Sequence, residues 1–192
     1  FLPVLLFCAC FTNAQNNISG ISLLKGDGHT QLIIQGKPFL ILGGELGNST
    51  ASSVDYMKPY WKHLKGMNLN TVLLPVYWEL MEPEEGKFDF SLVDSMISAA
   101  KGHDLKLVLL WFGTWKNSMS CYAPLWMKTN SKRFPRTYDT VGRSQELFSV
   151  FGKETLEADK KAFASLLRHI KEADVAKTVI MVQVENEIGM LP

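Results

Sequence analysis

Thr71-Val72-Leu73-Leu74-Pro75-Val76-Tyr77-Trp78-Glu79 is the stretch on which the fold turns. Its first six residues are apolar on both faces, as a strand covered by helices must be, and polarity arrives only at the carboxyl end. Helical patterns flank it. Upstream, Ser49 to Ser53 offer N-cap candidates, and Met57, Tyr60, Trp61, Leu64 and Met67 follow at helical spacing. Pro59 is expected in the first turn or at a kink, with Gly66 as the C-cap. Downstream, Ser91-Leu92-Val93-Asp94 reads as a capping box with Asp in place of Glu, and Leu92, Val93, Met96, Ile97 and Ala100 form a stripe ending at Gly102.

The alternation continues outward. A strand is expected over 105–112, an irregular stretch over 113–152, and a helix with Leu156, Phe163, Leu166, Leu167 and Ile170 on one face; the last strand covers 178–184. Before the first helix, Gln31–Ile34 and Pro38–Leu42 flank Gln35-Gly36-Lys37 and read as a hairpin whose second arm enters the Gly-rich break Gly43–Asn48. Strand, helix, strand, helix implies a parallel α/β sheet. A doubly wound nucleotide-binding sheet requires a phosphate turn, and Gly43-Gly44-Glu45-Leu46-Gly47 is neither G-x-G-x-x-G nor a Walker loop. Chemistry-bearing residues sit instead where strands end, the habit of a (β/α)8 TIM barrel. Such a barrel takes about 250 residues, so the 192 residues read as its first half, about four strands, preceded by a short β-hairpin.

A net charge of +1 offers no surface for nucleic acid. Residues 1–14 are uncharged and carry Leu2-Pro3-Val4-Leu5-Leu6-Phe7-Cys8-Ala9-Cys10-Phe11, too short for a membrane span, and read as the remnant of a secretory signal cleaved after Ala14. Residues 15–192 are then the N-terminal half of a barrel domain, exported to the periplasm or the extracellular space. Acylation of Cys10 as a lipid anchor is the alternative, although Phe7 suits such a signal poorly. Cleavage leaves Cys121 alone, which allows no intrachain disulfide and no cysteine-based zinc site. His29, His63, His103 and His169 are far apart. No metal and no cofactor are expected.

The strand ends supply Glu45 and Asn48, then Tyr77, Trp78 and Glu79, then Trp111, Trp115 and Asn117, and finally Glu185, Asn186 and Glu187. Aromatic faces beside acids and amides suit a sugar, whose C–H faces stack while its hydroxyls require convergent polar groups. The plainer alternative makes these tryptophans core plugs. A buried strand that runs into Glu-Asn-Glu desolvates two carboxylates, and glycosidic hydrolysis needs one raised carboxylic acid. Glu185 and Glu187 lie on one strand and flank a scissile bond awkwardly, so the second carboxyl is expected on another strand.

Four stretches carry a family resemblance: Gly43-Gly44-Glu45-Leu46-Gly47-Asn48-Ser49; the run from Pro75 through Tyr77-Trp78-Glu79 to Phe90; Trp111-Phe112-Gly113-Thr114-Trp115-Lys116-Asn117-Ser118; and Gln183-Val184-Glu185-Asn186-Glu187-Ile188-Gly189. From Leu32 to Pro192 the chain resembles the catalytic barrel of family 35 glycoside hydrolases, the β-galactosidases. It is most like their compact bacterial branch acting on plant-cell-wall side chains, with echoes of family 42. The resemblance implies retaining, exo-acting release of terminal β-galactose. Glu187 would be the catalytic acid/base and Asn186 the partner of the sugar 2-hydroxyl, with Glu185, Glu45, Tyr77, Trp115 and Asn117 as further substrate-binding candidates. The nucleophilic Glu would stand on the seventh strand, beyond Pro192, so the isolated chain is expected to be inactive and aggregation-prone.

Animal-type members carry Tyr where Pro75 stands and Cys-Ala-Glu near Lys116-Asn117-Ser118, so their galactose contacts do not transfer. Strict alternation turns Asn186 away from the face of Glu187, so the strand end must twist or bulge. Lys116, Lys128, Lys132, Arg133, Arg136 and Arg143 read as a solvated lid, and Glu82, Glu84 and Glu85 as a solvated loop. Other substrates, a β-glucan or an arabinoside, and a non-catalytic sugar-binding barrel are the competing readings.

Overall fold

The structure, a computed structural model, describes residues 20–117 and 120–187. The expected signal over 1–14 lies outside the described residues. The chain divides into two units, 1–40 and 41–192.

In the first unit, β1 (Ile21–Lys25), β2 (Thr30–Ile34) and β3 (Lys37–Pro38) form an antiparallel sheet in the order β1-β2-β3. Leu23 pairs with Leu32, and Ile33 with Pro38. The tight turn between β2 and β3 is made by Gln35 and Gly36, both at positive φ (51° and 77°), as the twist of a short hairpin demands. The expected hairpin is therefore three strands, and its last arm stops at Pro38 rather than Leu42.

The second unit holds four parallel strands in the order β4 (Gly43–Glu45), β5 (Thr71–Tyr77), β6 (Lys106–Phe112) and β9 (Val179–Gln183). Their crossovers are α1 (Val54–Gly66), α3 (Ser91–Gly102) and α5 (Lys153–Ala173), with the short helices α2 (Trp78–Met81) and α4 (Leu125–Lys128) and the hairpin β7 (Arg136–Tyr138)–β8 (Ser144–Phe148) inserted. A parallel sheet whose neighbouring strands are joined by helices is consistent with part of a (β/α) barrel. Val72, Leu74, Val76, Leu107, Leu109 and Trp111 are buried in one core with Trp61 of α1, Met96 of α3 and Leu166 of α5.

Several details depart from expectation. The first sheet strand is Gly43-Gly44-Glu45, the segment expected to be a break. A Cβ on Gly44 would stand 2.9 Å from Leu69 Cδ1, and one on Gly43 3.3 Å from Ile41 Cγ2, so β4 runs where a side chain would make its neighbours shift, and pairing with β5 outweighs the poor strand propensity of glycine. Ser53 caps α1, its Oγ accepting the Tyr56 N–H at 3.1 Å, but Pro59 sits inside the helix rather than in its first turn. No capping box forms at α3, because Phe90 is the N-cap and Asp89 accepts the Ser91 N–H at 2.8 Å. Asp94 meets His169 of α5 instead, at 2.6 Å. The buried face of α5 is Thr155, Asp159, Ala162 and Leu166, while Leu156 and Leu167 are exposed. The stretch 113–152 is not wholly irregular, since it contains α4, β7 and β8. Among the described residues no helix is long and apolar enough to cross a membrane, and no three His, Cys, Asp or Glu are grouped to hold a metal.

Candidate active site

Each parallel strand delivers its last residues to one end of the sheet, and the four ends differ in what they offer. At β4, Glu45 is exposed, and Leu46 turns inward, its N–H donating to the Leu73 carbonyl at 3.1 Å. At β5, Tyr77 is buried in an aromatic group with Tyr122 (ring centroids 5.4 Å) and Phe112 (6.0 Å). Its hydroxyl lies beside the Ala51 backbone without a well-formed hydrogen bond, and burial pushes the phenol well above its ordinary pKa.

Trp78 and Trp111 belong to the core, both fully buried with rings 6.1 Å apart, so the plainer alternative holds for these two. Glu82 is a further correction to the solvated-loop expectation. It is 2% exposed and its carboxylate accepts Trp78 Nε1–H at 2.6 Å and the Gly86 N–H at 2.7 Å. A buried carboxylate satisfied in this way staples the loop after α2.

The end of β6 is anchored by a residue that the sequence reading missed. Asp159 of α5 accepts three hydrogen bonds: Trp111 Nε1–H at 2.7 Å, the Thr114 N–H at 2.9 Å and the Thr114 hydroxyl at 2.5 Å. Gly113 is required here, since a Cβ would stand 2.5 Å from Trp111 Nε1 and 2.7 Å from Asp159 Oδ2. Thus tied, the chain presents Trp115, Lys116 and Asn117. Lys116 corrects the lid expectation, because its side chain is only 8% exposed.

The end of β9 approaches this segment. Glu185 and Glu187 both adopt left-handed backbone (φ 60° and 46°), a conformation that carries strain for residues with a Cβ. These two reversals break the strand's alternation, which is how Asn186 and Glu187 both come to face the β6 segment. Asn186 is buried, its Nδ2 donating to the Lys116 carbonyl at 2.9 Å and its Oδ1 accepting from Gln183 Nε2 at 2.8 Å. Trp115 Nε1 donates to the Glu187 carbonyl at 3.3 Å, and Lys116 Nζ stands 3.5 Å from Glu187 Oε2. The Glu187 side chain is 42% exposed and so remains open to a ligand.

Of the candidates, Trp115, Asn186 and Glu187 are thus brought together with Lys116. Asn117 follows Lys116 directly, its Oδ1 accepting from the Ser120 hydroxyl at 2.9 Å. Tyr77 is linked through Phe112, whose ring lies 5.8 Å from Lys116 Nζ. Among the described residues Glu45 forms no hydrogen bond or ion pair with this cluster and is exposed.

Glu185 faces a different way, into a cavity of about 670 Å³ lined also by Trp111, Thr155, Asp159 and Phe163. Its Oε2 is buried without a hydrogen-bond partner. Burial, with the Asp159 charge adding to it, raises its pKa from 4.5 to about 8. The folded chain therefore holds a proton that the unfolded chain releases across that interval, and the stability this contributes is complete below about 4.5 and lost as pH rises through about 8. Glu185→Gln should flatten this part of the profile, so that denaturation midpoints at pH 5 and pH 9 differ less than in the wild type. An unchanged difference would contradict the assignment.

Residues 31–192 match the sequence profile of glycosyl hydrolases family 35. The chain is 28% identical over 169 residues to a beta-galactosidase of Xanthomonas manihotis, covering 83% of this chain and 25% of that protein. It is 30% identical over 183 residues to human beta-galactosidase-1-like protein 3, covering 85% and 24%. The chain thus spans about a quarter of the length of these relatives. Among solved structures, an exo-beta-1,4-mannosidase, Op5Man5 from Opitutaceae bacterium strain TAV5, superposes with a TM-score of 0.60 at 18% identity, covering 82% of this chain and 26% of that one. The catalytic domain of a beta-amylase from Paenibacillus polymyxa gives 0.53 at 20%, covering 67% and 33%. The likeness to these two is one of fold.

Proposed function

The chain belongs to glycosyl hydrolases family 35, and from that premise we propose that it carries the acid/base half of a retaining, exo-acting β-galactosidase. One observation supports this above the others: Asn186 and Glu187 follow the fourth parallel strand directly, held to Trp115 and Lys116 just beyond the third. Glu187 is the acid that protonates the departing glycosidic oxygen, and later the base that activates water. Asn186 retains one amide N–H beyond its bond to the Lys116 carbonyl, and this bonds the sugar 2-hydroxyl, more strongly as the transition state forms. The nucleophilic carboxylate comes from a later strand, about 5–5.5 Å from the acid/base as retention requires. The substrate is a terminal β-galactoside of plant-type oligo- or polysaccharide, met after export to the periplasm or beyond.

Proton NMR of the first-formed product from the full-length protein tests the mechanism, and a panel of aryl β-galactoside, β-glucoside and α-arabinoside tests the sugar. The β-anomer of galactose should appear first, and the galactoside should exceed the others in kcat/KM by about tenfold or more. Equal or faster cleavage of the glucoside would replace galactose in this reading, and an initial α-anomer would end the retaining mechanism.

A further inference from the structure

Lys116 is built into the end of β6 in a way that a solvent-facing lysine is not. Its backbone is clamped on both sides, the N–H donating to the Ser120 carbonyl at 3.1 Å and the carbonyl accepting from Asn186 at 2.9 Å. Its ammonium, 8% exposed at the side chain, carries three N–H donors. Among the described residues one oxygen accepts from it, Glu187 Oε2, at the long distance of 3.5 Å, and the Phe112 ring lies 5.8 Å from it. A buried cation is costly unless its donors are used, and two of the three have no acceptor among the described residues. Four of the five other cations of the 113–152 segment are engaged elsewhere, Lys128 with Glu79 at 2.9 Å, Arg133 with Glu85 at 2.9 Å, Arg143 with Asp139 at 2.7 Å and Arg136 with the Glu146 carbonyl, and the fifth, Lys132, is exposed.

We propose that Lys116 is a substrate-binding, specificity-determining residue whose ammonium donates to a ring hydroxyl of the sugar that Glu187 releases, an inference that rests on the family 35 reading of Glu187. A neutral sugar fits better than a uronic acid, because Lys128, Arg133, Arg136 and Arg143, the cations on which a sugar carboxylate would draw, are engaged elsewhere. Binding gives one of the two remaining donors the hydroxyl oxygen, while the third keeps its contact with Glu187. Lys116 thereby registers the sugar against the acid/base.

The test is a substrate–variant cycle on the full-length protein, using aryl β-galactoside and its 3-, 4- and 6-deoxy analogues with wild type and Lys116→Met. Lys116→Met should lower kcat/KM on the parent by about 10²-fold, the worth of a hydrogen bond from a charged donor. One analogue should already lose a similar factor with the wild type and lose little more with Lys116→Met. A merely structural role would depress all four substrates by the same factor, and that result overturns the proposal, as does wild-type turnover of the parent. An aryl uronide accepted better than the galactoside overturns the neutral-sugar assignment. Should Lys116→Met fail to fold, Lys116→Arg carries the test, because it keeps the charge but displaces the donor and should show the same selective pattern. If the wild type cleaves no galactoside, the β-galactosidase reading has failed, and the cycle is repeated on the deoxy analogues of whichever aryl glycoside is cleaved best.

Discussion

Glu187→Gln in the full-length protein is expected to lower kcat/KM on a natural galactoside by about 10²–10⁴-fold, the range that a general acid/base supplies. Glutamine preserves shape but can neither give nor take the proton. The dependence on leaving group is the sharper signature. A dinitrophenyl galactoside needs no protonation to depart, so its glycosylation step is spared, while attack of water on the glycosyl-enzyme still lacks its base. Pre-steady-state measurement should therefore show a burst of dinitrophenolate followed by slow turnover. Equal losses on the activated and natural substrates, without a burst, would remove Glu187 from the acid/base role. The Trp115 bond goes to the backbone carbonyl of residue 187 and the Glu187 side chain is 42% exposed, so the loss should not be accompanied by a large change in melting temperature.

Asp159→Ala should act on the opposite quantity, stability. The carboxylate satisfies Trp111 Nε1–H and both the N–H and hydroxyl of Thr114, and Trp111 is wholly buried. Truncation leaves donors orphaned behind a cavity, a cost of about 3–5 kcal/mol. In a protein of this size or larger that is a fall in melting temperature of roughly 10 °C. Asp159→Asn, which keeps one acceptor oxygen, should fall less. Loss of the Asp159 charge also relieves Glu185, so the Asp159→Ala deficit should narrow at pH 9 relative to pH 6. A melting curve unchanged within about 1 °C would contradict the assigned role of this carboxylate.

How far the sequence spoke for itself depends on where the relevant physics lay. Strands β5 and β6 were legible because a strand buried on both faces leaves a local, unmistakable pattern, and β9 because its run is continuously apolar, although Met181 is exposed. Strand β4 was not, because Gly43 and Gly44 read locally as a break, while the close approach of Ile41 and Leu69 and the pairing with β5 are tertiary and leave no local pattern. The Asn186-Glu187 pair was legible from its place after β9, and the conflict between alternation and shared function already pointed to an irregular strand end. Its form, two left-handed residues around Asn186, required coordinates. Lys116, Glu82 and Asp159 were misread or missed for one reason. A charged residue in a polar segment looks solvated until the partners that bury it are known: Glu187 from 71 residues away for Lys116, and Trp111 from 48 away for Asp159. The clue within reach was position, since Lys116 lies between the two candidates Trp115 and Asn117.

The left-handed backbone at Glu185 and Glu187 also bears on how this segment would respond to engineering for thermostability. Glycine adopts that conformation without a Cβ penalty of about 1 kcal/mol, so a screen that rewards only heat resistance would be drawn toward glycine at both positions. At 185 such a change also removes a partnerless buried carboxyl; at 187 it would silence the chemistry proposed for this site. A stability screen of this family member therefore needs an activity counter-selection, above all at residue 187.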